Sequence, residues 1–181
     1  MKKILIFSVI AIFLFLPACR SVNPAENVKD TILLSSPAFN NLGRIPVKYT
    51  GNGEDVSPPL HWSNIPKNSR SLAIVMDDPD APHTFTHWII FNIPVDKTSL
   101  PEGIPQELTL QGGLKQGKND FGNIGYNGPK PPSGQTHHYR FTIYALDKML
   151  DVEAGISIKG FLRAVNGHIL AKGTLVGLYG D

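Results

Sequence analysis

Cysteine is almost absent from this chain, since Cys19 is the one cysteine among 181 residues. A lone cysteine excludes an intramolecular disulfide, a zinc site built on cysteines and an iron–sulfur cluster, and we expect no cofactor. An excess of charge is lacking too, because Lys2 and Lys3 account for the formal net charge of +2. The neutral remainder lacks the basic surface that drives non-specific binding to nucleic acid, so we expect no nucleic-acid partner.

Glycine and proline are abundant by contrast, with 17 and 15 residues respectively. This content favours a turn-rich β architecture over a helical bundle. The chain also has nine phenylalanines and five tyrosines, and 41% of its residues are hydrophobic. That is enough apolar material for a folded core, which argues against a disordered chain.

The N-terminus has the features of an export signal. Two lysines precede an apolar run from Ile4 to Leu16. At about 1.5 Å per residue this run is too short to cross a hydrocarbon core of about 30 Å, and it fits the apolar region of a signal peptide. The run ends in Leu16-Pro17-Ala18-Cys19, which resembles the lipobox of bacterial lipoproteins, where a small residue precedes the cysteine that becomes lipidated.

This interpretation divides the chain into three parts. They are a lipoprotein signal peptide at 1–18, a lipidated Cys19 with a polar tether at 19–30, and one domain at 31–181. Acyl chains such as palmitate on Cys19 would hold the protein at a membrane. We therefore expect an exported, lipid-anchored protein of the bacterial cell envelope, on the outer membrane if the cell has two, because Arg20 rather than Asp follows the cysteine. The alternative is ordinary secretion, with Cys19 in a discarded or frayed terminus.

The apolar pattern of residues 31–181 predicts one mostly β domain with one or two peripheral helices. Two nearly continuous apolar runs, 71–76 and 87–93, are typical of strands buried on both faces. Residues 139–146 form a third strong strand candidate, and shorter strands are expected at 31–34, 45–50 and 174–179. Helical spacing is shown by Phe161, Leu162, Val165 and Ile169. Residues 112–134, dense in Gly, Pro and Asn, are a candidate functional loop.

Ionisable residues interrupt the apolar pattern at the strand ends. Asp77, Asp78 and Asp80 follow the strand at 71–76, and His87 opens the next strand. Taken alone, the carboxylates are explained better by a solvated turn, and the histidine by a hydrogen bond within the core.

The segment Thr136-His137-His138-Tyr139-Arg140-Phe141 is more informative. Alternate side chains of a strand point to opposite faces, so His137 and Tyr139 share one face while His138 and Arg140 share the other. An imidazole and a phenol at the start of a strand make a plausible pair of hydrogen-bond donors.

Several segments together carry a resemblance to a known family. They are Asp78-Pro79-Asp80-Ala81-Pro82, His87-Trp88, Gly125-Tyr126-Asn127-Gly128-Pro129, Pro131-Pro132 and His137-His138-Tyr139-Arg140-Phe141. In this order they resemble the phosphatidylethanolamine-binding protein family, and most closely its bacterial Raf-kinase-inhibitor-like branch. Further matches to that branch are Tyr49-Thr50, Ser57-Pro58-Pro59-Leu60 and Gly167-His168-Ile169-Leu170-Ala171. The similarity covers about residues 31–180.

The resemblance implies a fold of one large antiparallel β-sheet packed with a smaller sheet and flanked by helices. It also implies a small surface cavity that binds anions such as phosphate or phosphoryl head groups. The residues that match the family's pocket are Asp78, His87, His137 and Tyr139, with Gly128, Pro129 and Pro132 in the loop that forms its wall. Asp80 belongs to the same motif and is expected to stabilise the loop.

The chemistry of these residues suits an anion, which needs hydrogen-bond donors. Two imidazoles, a phenol and backbone N–H groups of a glycine-containing loop supply them. We expect Asp78 to accept a hydrogen bond from a histidine, which would fix its tautomer and raise its pKa. The second ring nitrogen would then be a charge-assisted donor. No lysine or arginine is required, so we expect modest affinity that is stronger at mildly acid pH.

We therefore expect a membrane-anchored binding protein with phosphate, or the phosphoryl head group of a lipid or small molecule, as its ligand, and a regulatory role stays open. One alternative is an envelope protein-interaction module whose protein partner the sequence does not identify. The other is a hydrolase, metal-dependent or acting on phosphoesters, because an Asp and two His can hold a metal. The sequence lacks a His-Glu-x-x-His or a Gly-x-Ser-x-Gly motif, so we expect neither a metal nor a catalytic residue.

Overall fold

The computed structural model describes residues 24–25 and 28–181. The expected signal peptide, the lipidated Cys19 and most of the expected tether lie outside the described residues. Within them, no helix combines the length and the apolar character that a membrane crossing requires.

Nine strands of the described chain form two sheets. The large sheet has the strand order β2 (Gly43–Arg44), β9 (Ile169–Gly180), β8 (Thr136–Leu146), β4 (Ser71–Asp78), β5 (Phe85–Ile93) and β7 (Lys115–Gln116). The small sheet has the order β1 (Leu33–Ser35), β3 (Leu60–Ser63) and β6 (Ser99–Leu100). Neighbouring strands are antiparallel except β2 and β9, which are parallel. The expected pairing of a large and a small sheet is confirmed.

The large sheet forms the middle layer of the domain. Ile74 and Met76 of β4 belong to a core cluster that includes Trp62 of the small sheet. The alternate residues Ala73 and Val75 belong to a second cluster with Phe161 of helix α1 (Ile158–Val165). This alternation explains why the strand at 71–76 reads as a continuous apolar run, because both of its faces are buried.

Two predicted elements differ in the structure. Residues 45–50, predicted as a strand, contain instead a 3-10 helix at Val47–Tyr49. Pro46 at its start has a φ of −59°, which suits a helical turn, and its carbonyl accepts the N–H of Tyr49.

The apolar residues near the C-terminus were predicted to continue one helix as far as Ile169. The helix instead ends at Val165, and Ile169 begins β9. Gly167, with a φ of +78°, takes the left-handed conformation that commonly terminates helices. The strand expected at 174–179 is therefore longer than predicted, because it already begins at Ile169.

Candidate functional site

The ends of three neighbouring interior strands of the large sheet, β8, β4 and β5, lie side by side. Because β4 is antiparallel to β5 and to β8, the end of β4 lies beside the starts of both. There the three strands border an open cavity of about 400 Å³. Five of the six residues that the sequence predicted for ligand binding line this cavity together: Asp78, His87, Pro132, His137 and Tyr139.

His87 reaches the cavity because β5 contains a β-bulge. In the pairing with β4, Trp88 lies opposite Met76 and Thr86 lies opposite Asp77, so His87 is the extra residue. A bulge re-aims the inserted side chain. Trp88 therefore packs in the core between the sheets, while the His87 ring lies 5.2 Å from the Tyr139 ring, edge to face.

His137 is held by hydrogen bonds at both ring nitrogens. Its Nδ1 lies 2.7 Å from Asp78 Oδ2, and its Nε2 lies 3.0 Å from Gln135 Oε1. The carboxylate of Asp78 can only accept, so the Nδ1 atom carries a proton. The expected hydrogen bond between Asp78 and a histidine is present, and His137 is that histidine. Gln135 is exposed at the cavity rim.

Asp78 is buried, and its remaining oxygen serves the loop that follows β4. Asp78 Oδ1 accepts the backbone N–H groups of Asp80 at 2.9 Å and Ala81 at 3.2 Å. The Asp78 carboxylate also interacts with the Tyr139 hydroxyl. Burial, together with the charge of Asp78, raises the pKa of Tyr139 far above its usual value. Tyr139 therefore stays a neutral phenol, which can donate a hydrogen bond.

His87 differs from the expectation for a charged imidazole. Its Nδ1 lies 2.8 Å from the backbone oxygen of Asn127. Burial lowers the pKa of His87, although that hydrogen bond and the carboxylates of Asp78, Asp55 and Asp77 act in the opposite direction. The pKa of His87 is lowered because the loss of hydration outweighs the nearby charges. The rise in pKa was expected for the histidine that binds Asp78, which is His137.

An aromatic wall closes one side of the cavity. Phe85 and Phe121 lie edge to face at 4.8 Å, and the Phe121 ring lies 5.3 Å from the His87 ring. Phe121 is half exposed. Its position is fixed by the buried Asn119, whose Oδ1 accepts the backbone N–H of Phe121, and by Asp120, which pairs with Thr86 of β5.

Gly128 does not take the predicted role. Its backbone N–H donates to Asp55 Oδ1 at 2.5 Å, and Asp55 Oδ2 accepts the side chain of Asn127 at 3.0 Å. Gly128 is needed for close packing instead, because a Cβ there would come within 2.4 Å of the Tyr49 carbonyl oxygen. Of the three residues predicted to form the wall, Pro132 lines the cavity, and Lys130 and Pro131 take the place of Gly128 and Pro129.

Asp80 stabilises the loop as predicted. Its carboxylate accepts the backbone N–H of His138 at 2.8 Å and lies 2.7 Å from the His138 ring. The backbone hydrogen bond is the main cause that lowers the pKa of Asp80. This contact joins the loop after β4 to the outward face of β8, where His138 is exposed as the strand alternation indicated.

Sequence reasoning missed several residues of the site. Lys130 and Gln135 line the cavity. Lys130 lies within the segment at 112–134 that the sequence marked only as a candidate functional loop, and Gln135 directly follows that segment. Phe121 lies in that same segment, and an exposed aromatic residue beside glycines and asparagines was the available signal. Among the described residues, no group of three or more His, Cys, Asp or Glu side chains is arranged to hold a metal ion.

The sequence and the structure both have similar counterparts among known proteins. A family model described as phosphatidylethanolamine-binding protein matches residues 35–180. The UPF0098 protein of Methanothermobacter thermautotrophicus is 52% identical over 147 residues, which cover 81% of this chain and 97% of that protein. UPF0098 protein YbhB of Escherichia coli is 37% identical over 147 residues, covering 78% of this chain and 87% of that protein.

Two crystal structures share the fold at substantial sequence identity. Escherichia coli YbcL, described as a member of the mammalian PEBP family, matches with a TM-score of 0.77 and 30% identity, covering 83% of this chain and 98% of that one. A phosphatidylethanolamine-binding protein homologue from Chlamydia trachomatis matches with a TM-score of 0.76 and 36% identity, covering 84% and 99%.

Proposed function

Because the chain belongs to the phosphatidylethanolamine-binding protein family, we propose that it is a binding protein whose cavity holds a small anion, either phosphate or a phosphoryl group. The observation that carries this proposal is the convergence of two histidines, a tyrosine and a lysine around one open cavity: His87, His137, Tyr139 and Lys130.

His137 supplies the first contact for the anion. Its Nδ1 is occupied by Asp78, while its Nε2 faces the side-chain oxygen of Gln135 at 3.0 Å. Gln135 is exposed, so its amide can turn away and leave this position to a phosphoryl oxygen. A charged oxygen is a stronger acceptor than a neutral amide oxygen, which favours the exchange.

Lys130 supplies a positive charge at the cavity rim. Its ammonium makes no ion pair with any described residue, so it is available to an anion. The carboxylate of Asp78 opposes an anion less than its position suggests, because its oxygens already accept hydrogen bonds from His137, Asp80 and Ala81. Lys130 was not part of the sequence prediction, which assumed that no lysine was required.

The size of the cavity favours a phosphoryl group that carries an organic substituent. A volume of about 400 Å³ lies within the range of about 300–1,000 Å³ that small-molecule sites occupy. Phosphate alone would leave much of it empty.

The proposal also includes an envelope location. The lipobox-like segment that ends at Cys19 supports lipid attachment after export. From Cys19 to the start of the domain at residue 31 the chain can extend about 40 Å at most, which would keep the cavity near a membrane surface.

Isothermal titration of the purified protein with inorganic phosphate tests the cavity. We expect saturable binding that Lys130→Ala weakens about three- to tenfold, because a charge-assisted contact is lost. Lys67→Ala is the matched control, since Lys67 is exposed and precedes β4 at the end away from the cavity. It should leave the affinity unchanged. Equal losses in the two variants, or no saturable binding by the unaltered protein, would refute the proposal.

A further inference from the structure

We propose that the cavity selects phosphomonoesters that keep one proton on the phosphoryl group, and that it discriminates against phosphodiesters. The favoured ligand has the form ROPO₃H⁻, with an apolar or aromatic R. This inference rests on the proposed function and deepens it by naming the ligand class.

The selection follows from the hydrogen bonds of His87. Its Nδ1 faces the carbonyl oxygen of Asn127, which can only accept, so Nδ1 carries the proton. In the neutral ring Nε2 then presents a lone pair. No described residue forms a hydrogen bond with this Nε2, and the atom is not sealed within the core. Because His87 lines the cavity, the lone pair is open to a ligand.

The surroundings of His87 favour the neutral form of its ring. The residue is 97% buried. Burial is the largest influence on the pKa of its side chain and lowers it. The carboxylates that oppose this effect are Asp77 and Asp78 of β4 and Asp55 of the loop before β3. The other titratable groups around the cavity are Asp80, Lys130, His137 and Tyr139. Of these, the ammonium of Lys130 is a positive charge, which disfavours a further positive charge on His87.

A neutral His87 distinguishes between phosphoryl groups by their protons. A P–OH group can donate to the Nε2 lone pair, whereas a phosphodiester offers only oxygen acceptors, which the lone pair repels. The remaining phosphoryl oxygens carry the negative charge and face Lys130. The site therefore needs both a hydroxyl and a charged oxygen on one phosphorus atom, a combination that the monoanion of a phosphomonoester has.

The walls of the cavity indicate the nature of R. Phe85, Phe121, Pro82 and Pro132 present apolar surface around the opening. The Phe121 ring is half exposed and already packs edge to face against Phe85. An aromatic ring attached to the phosphoryl oxygen can extend this packing, so an aryl monoester should bind more tightly than inorganic phosphate.

The test compares two ligands of equal charge by isothermal titration at about pH 5.5, below the second pKa of about 6 that phosphomonoesters have. Phenyl phosphate and methyl phenyl phosphate are both monoanions there, and they differ by a hydroxyl against a methoxy group. We expect phenyl phosphate to bind at least about tenfold more tightly. 4-Methylphenyl phosphate controls for size, since it adds a methyl group and keeps the P–OH; its affinity should stay within about threefold of that of phenyl phosphate.

The variant His87→Gln extends the test to the protein, because a carboxamide can present either N–H or C=O to the ligand. It should reduce the preference for the monoester to less than about threefold, while His61→Asn, an exposed histidine on β3, should preserve it. Equal binding of monoester and diester by the unaltered protein would overturn the selection and leave the anion cavity standing. If inorganic phosphate and both esters all fail to bind, the proposed function and this inference fall together.

Discussion

At the scale of single residues, the contact between Gln135 and His137 bears most directly on the proposed anion site. In the structure the amide oxygen of Gln135 occupies the position beside Nε2 that we assign to a phosphoryl oxygen. Gln135 is exposed and lines the cavity, so its substitution should not disturb the core. In the proposed site, Gln135 would therefore compete with the ligand for His137 Nε2.

Two substitutions of Gln135 should change the affinity for phosphate in opposite directions. Gln135→Ala removes the competitor, and we expect phosphate to bind about two- to fivefold more tightly because no hydrogen bond has to be broken first. Gln135→Glu places a carboxylate beside Nε2, which should weaken binding by tenfold or more through competition and repulsion. Calorimetric titration measures both. If Gln135→Ala instead weakens binding, Gln135 contacts the ligand, and the proposed competition between Gln135 and the ligand is refuted.

Residue identities alone predicted part of the site and not the rest. Asp78, His87, His137 and Tyr139 line the cavity as the resemblance implied. Asp55, whose carboxylate binds Gly128 and Asn127, was not foreseen, because a lone acidic residue far away in the chain carries no signal of its partners. The lowered pKa of His87 was not foreseen either, because it results from burial, which is a property of the folded chain.

At the scale of secondary structure, the bulge in β5 determines the geometry of the site. A regular strand alternates its side chains, and regular alternation would send His87 and Trp88 to opposite faces of the sheet. The extra residue in the register allows Trp88 to pack between the sheets while His87 faces Tyr139. No sequence pattern indicated this bulge, because its effect depends on the pairing with β4.

Helix α1 offers a control for stability that is separate from binding. Phe161 is fully buried and packs on the face of the large sheet opposite to the small sheet. Phe161→Ala should lower the free energy of unfolding by about 3–5 kcal/mol through the cavity that it leaves, measured by urea denaturation. Phosphate affinity of the folded fraction should stay unchanged. A matching loss of affinity would show that the helix supports the site directly, contrary to this account.

At the scale of the whole molecule, burial of His87 links pH to stability. The pKa of His87 is lowered in the folded state from about 6.5 in the unfolded chain. The unfolded state therefore binds more protons as the pH falls below about 6.5, and the folded state loses stability. Above about pH 6.5 the ring is neutral in both states, so the free energy of unfolding no longer depends on pH through His87.

Denaturation in urea at about pH 7.5 and about pH 5.5 measures this effect. The unaltered protein should lose more stability between the two pH values than His87→Gln does, because the variant lacks the titrating ring. Parallel losses in the two proteins would mean that another group is responsible. His61→Asn, an exposed position, should behave like the unaltered protein.

The proposed membrane location of the whole molecule depends on Cys19. We expect the protein to incorporate labelled palmitate and to fractionate with membranes, and we expect Cys19→Ser to abolish both, since no other cysteine is present in the sequence. Membrane fractionation with immunoblotting provides the measurement. A Cys19→Ser protein that remains membrane-bound would contradict the lipid anchor and leave the cavity unaffected.

The overall architecture was largely predictable from the apolar pattern of the sequence and from the family resemblance. The runs at 71–76 and 87–93 are apolar on both faces, and they form two adjacent interior strands of the large sheet, β4 and β5. The sheet pairing came from the family resemblance. What sequence did not predict were local conformations such as the 3-10 turn after Pro46 and the glycine-terminated helix, where one residue overrides the apolar pattern.

The histidine side chains report on the central claim most directly. Long-range proton–nitrogen NMR, recorded while phenyl phosphate is added to the purified protein, follows the ring nitrogens of each histidine separately. We predict saturable shifts for His87 and His137, which line the cavity, and none for His61 and His168, which do not line it. Unchanged resonances of His87 and His137 at saturating ligand, or equal shifts of all four, would contradict an anion site in this cavity.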